Sequence, residues 1–402
     1  MHVSERLARA RALLASVRDI VETRVESAEV PAWAERRGWA PLLLALDEAT
    51  LRRCEAGGLA ELLPELPGAP SSLLELGAAV THVTELPRLR LGTRLERDAL
   101  RQVRQRKREQ LSCLLAAVEP MARAASRIVD VGAGSGHFTR LSAELFERDA
   151  LGLEHNPERV AAAQRRAGNG RARFEAVDAR SALALDASDL AIGLHCCGEL
   201  GDHLVTAAAQ SGCDLALVSC CLQKISAPSR APLSRLAAGS ALGRQHLGLT
   251  NLTAQPQGVE ADIETTLAAR RTRYALGRLL RARGVALEPG AEMSGINRRQ
   301  ANHGLAVVAE RALTLRGLPP ASAAELAEHD AAASRDYALI RRLSLPRSML
   351  ARLVEVLVSL DRAQHLQEAG AHVLVASLFD RGISPRNIGI FASQRTERLP
   401  AA

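Results

Sequence analysis

The sequence predicts an α/β fold, in which helices pack on a mostly parallel sheet that a C-terminal antiparallel hairpin completes. Apolar runs alternate with amphipathic stretches from Arg127 to Cys221, which is the pattern of a doubly wound parallel sheet. A glycine-rich turn separates the first of these runs from the helix that follows it. Two later apolar runs, His372 to Phe379 and Asn387 to Gln394, enclose a short turn rich in Gly, Pro and Asn, so we expect them to be antiparallel.

The elements of the parallel part follow one another in a regular order. Five short apolar runs are predicted to be strands: RIVDV, ALGLEH, RARFEAVDAR, DLAIGLHCCGEL and CDLALVSCC. Residues 136–146 are predicted to form the first helix between them, and Pro157 suits the first position of the next helix. The third strand is expected to end near Asp178.

Four segments are predicted along the chain. Residues 1–104 carry Leu and Ala at helical spacing between Pro and Gly breaks, which predicts a helical N-terminal region. Residues 105–225 hold the five parallel strands, and residues 366–402 hold the hairpin that completes the sheet. The stretch 226–365 is mostly helical, so we expect an insertion after the fifth strand. Because ligands of open α/β sheets bind outside the carboxyl ends of the strands, the insertion is expected to lie over that edge.

Length and composition favour an intracellular globular protein. The chain has 402 residues, enough for two or three domains with a buried core. No apolar run reaches about 18 residues, and the N-terminus lacks an uninterrupted apolar segment, which argues against a membrane span and a secretory signal. The seven cysteines are odd in number and lack the spacing of a disulfide framework. We therefore expect a reducing compartment and a cytoplasmic location.

The turn after the first strand carries the first functional pattern. Asp130 is followed by Gly132, Gly134 and Gly136, and the acidic residue Glu154 ends the next strand. Glycines let a ligand approach the backbone closely, and a helix N-terminus offers unpaired N–H groups. A carboxylate about 20 residues further along suits ribose hydroxyls. The pattern therefore predicts a nucleoside cofactor.

The spacing of the glycines distinguishes two kinds of cofactor. The dinucleotide pattern is G-x-G-x-x-G, whereas this chain has G-x-G-x-G after a strand that ends in Asp130. This arrangement resembles motif I of the class I S-adenosylmethionine methyltransferases, whose sheet is Rossmann-like. The resemblance implies S-adenosylmethionine as cofactor, with the methionine end held by the glycine turn and Asp130, the ribose by Glu154 and the adenine near Asp178. The implied cofactor-binding residues are Asp130, Gly132, Gly134, Gly136, His137, Glu154, Asp178 and His195.

Unusual residues end the fourth and fifth predicted strands. These strands are neighbours in a doubly wound sheet, so a histidine and several thiols are expected to converge there: His195, Cys196, Cys197, Cys220 and Cys221. Three interpretations stay open. The cysteines are small core residues and His195 a structural one; or His195 orients the substrate or accepts a proton; or the thiols provide a nucleophile or bind a metal. Adjacent cysteines lack the usual C-x-x-C zinc spacing, so no metal is predicted. The candidate catalytic residues are His195, Cys196, Cys197 and Cys220.

Several longer motifs resemble one family. KRE at Lys107 to Glu109, VDVGAGSGHFTRL, GLHCCGEL, LVSCCLQKI and SLFDRGISPRNIGIFA are similar to the methyltransferase-like 25 group, also called ribosomal RNA adenine dimethylase domain-containing proteins. That group is distantly related to the tRNA 2′-O-methyltransferases that modify position 4 of the acceptor stem. The resemblance implies that His195 and Cys197 line the cofactor pocket. The Asn/Asp-Pro-Pro-aromatic motif of adenine-N6 methyltransferases is replaced by His-Cys-Cys-Gly, which argues against adenine dimethylation.

The choice of acceptor depends on charge and on this resemblance. The chain carries a net charge of +7, and a strongly basic stretch from Pro87 to Arg108 precedes the first strand. That stretch is either a solvated helix face or a surface that contacts phosphates. Its basic residues are Arg88, Arg90, Arg94, Arg97, Arg101, Arg104, Arg106, Lys107 and Arg108. Methylation of RNA is the leading hypothesis; a small-molecule or protein acceptor is the second, and a non-catalytic S-adenosylmethionine-binding module is the third.

Overall fold

Seven strands form one sheet in the computed structural model, which describes residues 2–91, 105–181, 183–252, 260–288 and 290–402. In chain order the strands are β1 (Arg127–Val131), β2 (Asp149–Glu154), β3 (Ala172–Ala176), β4 (Asp189–Cys196), β5 (Asp214–Ser219), β6 (Ser229–Arg230), β7 (Leu242–Gly243), β8 (His372–Ser377) and β9 (Ile388–Ser393). The sheet order is β3-β2-β1-β4-β5-β9-β8, and β6 pairs with β7 separately. Strands β1 to β5 are parallel, whereas β9 is antiparallel to β5 and β8. The predicted Rossmann-like α/β fold with a C-terminal hairpin is confirmed.

Helices make up most of the remaining structure. In chain order they are α1 (Val3–Ser16), α2 (Arg18–Glu22), α3 (Ala32–Arg36), α4 (Ala40–Ala45), α5 (Glu48–Gly57), α6 (Leu59–Leu62), α7 (Ser71–Thr84), α8 (Gln105–Ala124), α9 (His137–Phe146), α10 (Pro157–Ala167), α11 (Glu199–Ser211), α12 (Arg244–Gly248), α13 (Glu260–Ala282), α14 (Leu305–Leu315), α15 (Ala323–Met349) and α16 (Ala351–Glu368). None of these described helices is long and apolar enough to cross a membrane.

Burial on both faces explains the continuous apolar runs of the central strands. Every residue of β5 is buried, as is every residue of β1 after Arg127. Parallel strands are covered by helices on both faces, so they lack the alternation of a half-exposed strand. Leu114 and Val118 of α8 pack in the same core cluster as Ile192 of β4 and Phe391 of β9. The core therefore joins the parallel strands to the hairpin.

The chain divides into two compact units whose boundaries differ from the predicted segments. The sheet unit comprises Met1–Glu22, Ala79–Ala254 and Leu350–Ala402, and the helical unit comprises Thr23–Ala78 and Gln255–Met349. Helix α1, predicted in the N-terminal region 1–104, and α16, predicted mainly in the insertion 226–365, both belong to the sheet unit. The reason is packing: α1 packs against α16, and α16 packs against α11, β8 and β9.

The helical unit has a core of its own. Helix α13 packs against α14 and α15, and the buried side chains between them include Leu276, Leu280, Val308 and Leu313. Helix α15 also packs against α4, α5 and α6, where Arg341 pairs with Glu55 at 2.7 Å. Residues distant in sequence thus share one helical core.

A fully buried arginine joins the loops that follow β4 and β5. The guanidinium of Arg362 in α16 donates to Gly198 O at 2.8 Å and to Ser219 Oγ. It also pairs with Asp202 of α11 at 2.8 Å, and Asp202 accepts a second guanidinium, that of Arg230. A buried charge is costly unless it is paired and hydrogen-bonded, and these partners meet that requirement. Arg362 thereby fixes the ends of the two central strands relative to each other.

Replacing Arg362 by Ala is expected to lower the free energy of unfolding by about 3 to 5 kcal/mol, because it leaves buried partners without their donor. The control is Arg235→Ala, whose side chain is 85% exposed beside Glu368; a surface pair of this kind contributes about 0.5 kcal/mol. Urea unfolding followed by circular dichroism measures both changes. Equal stability of the two variants would contradict the role assigned to Arg362.

Candidate active site

The turn between β1 and α9 has the backbone geometry that its glycines allow. Gly132, Gly134 and Gly136 all have positive φ, at 78°, 59° and 71°. The N–H of Gly132 donates to Leu153 O of β2 at 2.8 Å, which ties the turn to the end of the neighbouring strand. A Cβ added at Gly134 would meet only Gly132 O, at 3.9 Å, so the space beside the turn is open. The turn is therefore a backbone cradle that is open beside Gly134, as the close approach of a ligand requires.

Gly136 has a second reason to be glycine. The ring of Phe174 in β3 lies so close that a Cβ at Gly136 would be 2.5 Å from it. Gly152 of β2 is under the same ring, again at 2.5 Å. Phe174 thus packs across two glycines, which brings the start of α9 against the sheet.

Glu154 lies beside this cradle, at the end of β2. Its carboxylate is 5% exposed and accepts the N–H of Gly134 at 3.0 Å through Oε2. The other oxygen accepts the N–H of Asn156 at 3.1 Å and lies 2.8 Å from Nδ1 of His155. The predicted ribose-binding carboxylate is therefore held by backbone donors next to the glycine turn.

Asp130 is fully enclosed beneath the turn. Thr139 Oγ1 of α9 donates to Asp130 Oδ2 at 2.6 Å. Burial raises the pKa of Asp130 to about 6, against the opposing effects of the Thr139 hydrogen bond and the positive charge of Lys107. The carboxyl group therefore connects β1 to α9, and its part in cofactor binding stays a prediction.

His137 and Asp178 lie at the ends of different elements. His137 begins α9, and burial lowers its pKa, as do the charges of Lys107, Arg140 and Arg166. Asp178 follows β3 and pairs with Arg180 at 2.8 Å; this hydrogen bonding lowers the pKa of Asp178 to about 2. An adenine contact by Asp178 stays a prediction.

His195 interrupts the pairing of β4 with β5. The register shifts between Leu194 and Cys196, and His195 has a φ of 65°, which a non-glycine residue rarely adopts. The bulge directs its ring toward α8, where Nε2 lies 2.9 Å from Gln110 Oε1. This contact with the side-chain amide of Gln110 holds the ring in one orientation.

Three of the four thiols at the strand ends converge. The sulfur atoms of Cys197 and Cys220 are 2.6 Å apart, and with Cys221 all three sulfurs lie within 4.8 Å of one another. Cys197 and Cys220 also donate to the carbonyl oxygen of His195, at 3.4 Å and 3.2 Å. Hydrogen bonds from the other two thiols lower the pKa of Cys221, and the charge of Lys224 lowers it further.

Cys196 does not join this cluster, contrary to the predicted convergence. It is the last residue of β4, is buried, and donates its S–H to Val131 O at 3.3 Å. Successive residues of a strand point to opposite faces, so the two members of the Cys196-Cys197 pair separate. Burial raises the pKa of Cys196 well above its usual range, which argues against its role as a nucleophile.

The loops after β4 and β5 touch each other at Gly198. A Cβ at that position would lie 1.8 Å from the carbonyl oxygen of Lys224, and Glu199 N donates to the same oxygen at 3.0 Å. Only glycine allows this approach, which holds Cys197 beside the cysteines that follow β5.

Sequence reasoning missed four residues of the site. Lys107 and Gln110 of α8, Thr139 of α9 and Arg362 of α16 all act on predicted site residues or their loops. Two of the four lie in quoted motifs, Lys107 in KRE and Thr139 in VDVGAGSGHFTRL, whereas Gln110 and Arg362 lie outside them. Arg386, in the turn of the C-terminal hairpin, is buried, and its guanidinium lies 3.5 Å from Glu355.

Comparison with known proteins assigns the central segment. Residues 106–228 match the protein family described as a methyltransferase domain. The matched segment contains the glycine turn, Glu154, His195 and the three converging thiols.

Solved methyltransferase structures resemble the chain over about a third of its length. The sugar N-methyltransferase KedS8 from Streptoalloteichus is 20% identical over 32% of this chain and 55% of its own, with a TM-score of 0.25. The S-adenosylmethionine-bound amino pentose methyltransferase CalS10 from Micromonospora echinaspora is 21% identical over 32% of this chain and 58% of its own, with a TM-score of 0.26. A methyltransferase from Thiobacillus denitrificans in complex with S-adenosylhomocysteine is 24% identical over 27% of this chain and 47% of its own, with a TM-score of 0.24. The chain thus spans about half the length of these structures.

The raised pKa of Asp130 predicts a pH-dependent stability of the ligand-free protein. Because the folded protein holds this proton up to about pH 6, whereas an unfolded chain releases it near pH 4, stability from this group falls as the pH rises from 4 to 6 and stays low above. The loss is about 3 kcal/mol. Asp130→Asn, which retains an acceptor for Thr139, is expected to remove that loss.

Urea unfolding of both proteins at intervals from pH 4 to 7.5 measures the difference. Asp149→Asn, at a side chain that is 73% exposed, is the matched control and should follow the wild-type profile. Parallel profiles for wild type and Asp130→Asn would contradict the prediction.

Proposed function

We propose that the protein transfers a methyl group from S-adenosylmethionine to RNA. The methyl-transfer proposal depends on the position of Glu154. Its carboxylate is 5% exposed, accepts the N–H of Gly134 at 3.0 Å and lies beside the open glycine turn. An acidic side chain in this position suits the two hydroxyls of a ribose. The cradle beside it suits the charged end of the same cofactor, because N–H groups at a helix N-terminus attract a carboxylate.

Residues at the ends of β1, β2 and β3 would each bind a different part of the cofactor. The glycine turn and Lys107 would hold the methionine carboxylate, Glu154 the ribose, and the loop with Asp178 the adenine. Lys107 is assigned to the methionine end because its positive charge acts on both Asp130 and His137, which flank the turn. Each assignment places opposite charges or hydrogen-bonding partners together.

The main task of the protein in methyl transfer is to align the acceptor with the methyl group. When bound, S-adenosylmethionine supplies an activated methyl group on a sulfonium, so the chain must position the acceptor and exclude water. His195 is suited to orient the acceptor or to take its proton, since its ring is held by Gln110 at 2.9 Å.

The positive charge of the stretch from Pro87 to Arg108 supports RNA as the methyl acceptor. Helix α8 brings Lys107 near Asp130 and Gln110 to His195, so the last residues of the basic stretch from Pro87 to Arg108 adjoin the site. Within that stretch, Arg94, Arg97, Arg101 and Arg104 lie outside the described residues. Phosphate groups are the ligands that a run of arginines attracts most strongly.

The state of the cysteines supports a cytoplasmic location. All seven are free thiols, and the cytoplasm is a compartment that keeps thiols reduced.

Glu154→Gln is expected to weaken S-adenosylhomocysteine binding ten- to a hundredfold, because a hydrogen bond to a charged group contributes about 1.5 to 3 kcal/mol. Glu158→Gln, at an exposed position in the first turn of α10, is the matched control and should bind like wild type. Isothermal titration calorimetry on all three proteins provides the constants. Unchanged affinity of Glu154→Gln would remove the observation on which the proposal depends.

Replacing Arg97, Arg101 and Arg104 by Gln is expected to weaken RNA binding and to reduce the slope of log K against log salt by about 2 for single-stranded RNA. The control removes three exposed arginines of the helical unit, Arg36, Arg52 and Arg53. Fluorescence anisotropy from 50 to 300 mM salt measures both slopes. Equal slopes for the two triple variants would argue against the basic stretch as the RNA-binding surface.

The acceptor itself is tested with radiolabelled S-adenosylmethionine in an extract of cells that lack the protein. Label in the nuclease-sensitive fraction supports RNA as the acceptor. Label in the protein or small-molecule fraction retains methyl transfer and overturns RNA. No label, from protein that binds S-adenosylhomocysteine, favours a non-catalytic binding module and contradicts the proposed activity.

A further inference from the structure

The three thiols at the ends of β4 and β5 form a compact group to which the proposed function assigns no step. Their sulfur atoms lie within 4.8 Å of one another, and all three cysteines are at least half-buried: Cys197, Cys220 and Cys221. They come from two loops that are held together by the contact of Gly198 with Lys224 O and by the guanidinium of Arg362. The surrounding structure therefore assembles this group independently of any ligand.

We propose that Cys197, Cys220 and Cys221 bind one Zn²⁺ ion as thiolates. Zinc is borderline-soft and prefers sulfur and nitrogen ligands, whereas Mg²⁺ and Ca²⁺ prefer oxygen. Structural zinc sites have four protein ligands, and catalytic ones have three with the fourth position open. Among the described residues, no carboxylate or imidazole joins the three sulfurs, so the site is of the second kind.

The spacing of the sulfurs is compatible with one ion. Tetrahedral zinc with Zn–S bonds of about 2.3 Å requires sulfurs about 3.8 Å apart, which lies within the 4.8 Å span of the group. The sulfurs of Cys197 and Cys220, at 2.6 Å, must separate by about 1 Å. Rotation of the Cys197 side chain, which is in the loop after β4 and partly exposed, provides that movement.

The charges around the three cysteines are also compatible with a Zn²⁺ ion. Three thiolates and one Zn²⁺ leave a net charge of −1, and the positive charge of Lys224 acts on both Cys197 and Cys221. Each thiol that is protonated in the metal-free protein releases its proton to solvent when it coordinates the ion, so binding tightens as the pH rises. The carbonyl oxygen of His195 accepts hydrogen bonds from Cys197 and Cys220, and coordination replaces those weak S–H hydrogen bonds.

The test is the zinc content of the full-length protein, purified under reducing conditions without chelators and measured by mass spectrometry. Wild type is expected to hold about one zinc ion per chain, and Cys197→Ser, Cys220→Ser and Cys221→Ser less than about a tenth of that. Cys196→Ala is the matched control, because that thiol is adjacent in sequence but bonds to Val131 O instead. It should retain zinc like wild type.

A cobalt titration of the wild-type protein tests the site without any substitution, so it also applies if the serine variants fail to fold. Metal-free wild-type protein, shown to be folded by circular dichroism and fully reduced by thiol titration, is titrated with Co²⁺. Thiolate-to-cobalt charge-transfer and visible d–d absorption at one equivalent are expected, with displacement by Zn²⁺. The absence of both bands, or a Cys197–Cys220 disulfide in zinc-free protein purified without reductant, overturns the proposal. Calorimetry with S-adenosylhomocysteine on the same samples reports cofactor binding separately, so failure of one proposal is distinguishable from failure of the other.

Discussion

The buried guanidinium of Arg362 is the interaction on which the active-site end of the sheet depends. The ladder between strands β4 and β5 ends at Cys196 and Ser219, and beyond it the described backbone bond between the two loops is the one from Glu199 N to Lys224 O. Arg362 adds bonds to Gly198 O and Ser219 Oγ, and Asp202 balances its charge. A guanidinium out of water requires all of these partners, so the loops are held in one arrangement.

His195 links the two halves of the site. Its left-handed backbone, which costs about 1 kcal/mol, turns the imidazole toward Gln110 of α8 and the carbonyl oxygen toward Cys197 and Cys220. One residue thus orients an imidazole ring on one side and the thiol cluster on the other. Strain of this kind persists at a position where the surrounding packing over-determines it, here the bulge between Leu194 and Cys196.

Local patterns were sufficient to predict the sheet, the glycine turn and the hairpin, because each depends on residues close in sequence. The unit boundaries were not predictable in this way, since α1 joins α16 through packing between the two ends of the chain. The convergence of three thiols followed from the neighbouring positions of β4 and β5, but the exclusion of Cys196 needed the alternation of side chains along β4. Arg362 could not be found from sequence, because an arginine within a helix carries no indication of a partner that is distant in the chain.

The position of β9 in the chain has a consequence for the order of synthesis. β9 pairs with β5, yet the ribosome makes the whole stretch Gln255–Met349 of the helical unit between them. During that interval the edge of β5, whose residues are all buried in the finished protein, has no antiparallel neighbour. An unpaired apolar edge is the kind of surface that promotes association between nascent chains. We therefore expect closure of the sheet to be the late, vulnerable step in biogenesis, and chaperone demand to be greatest while the helical unit is being translated.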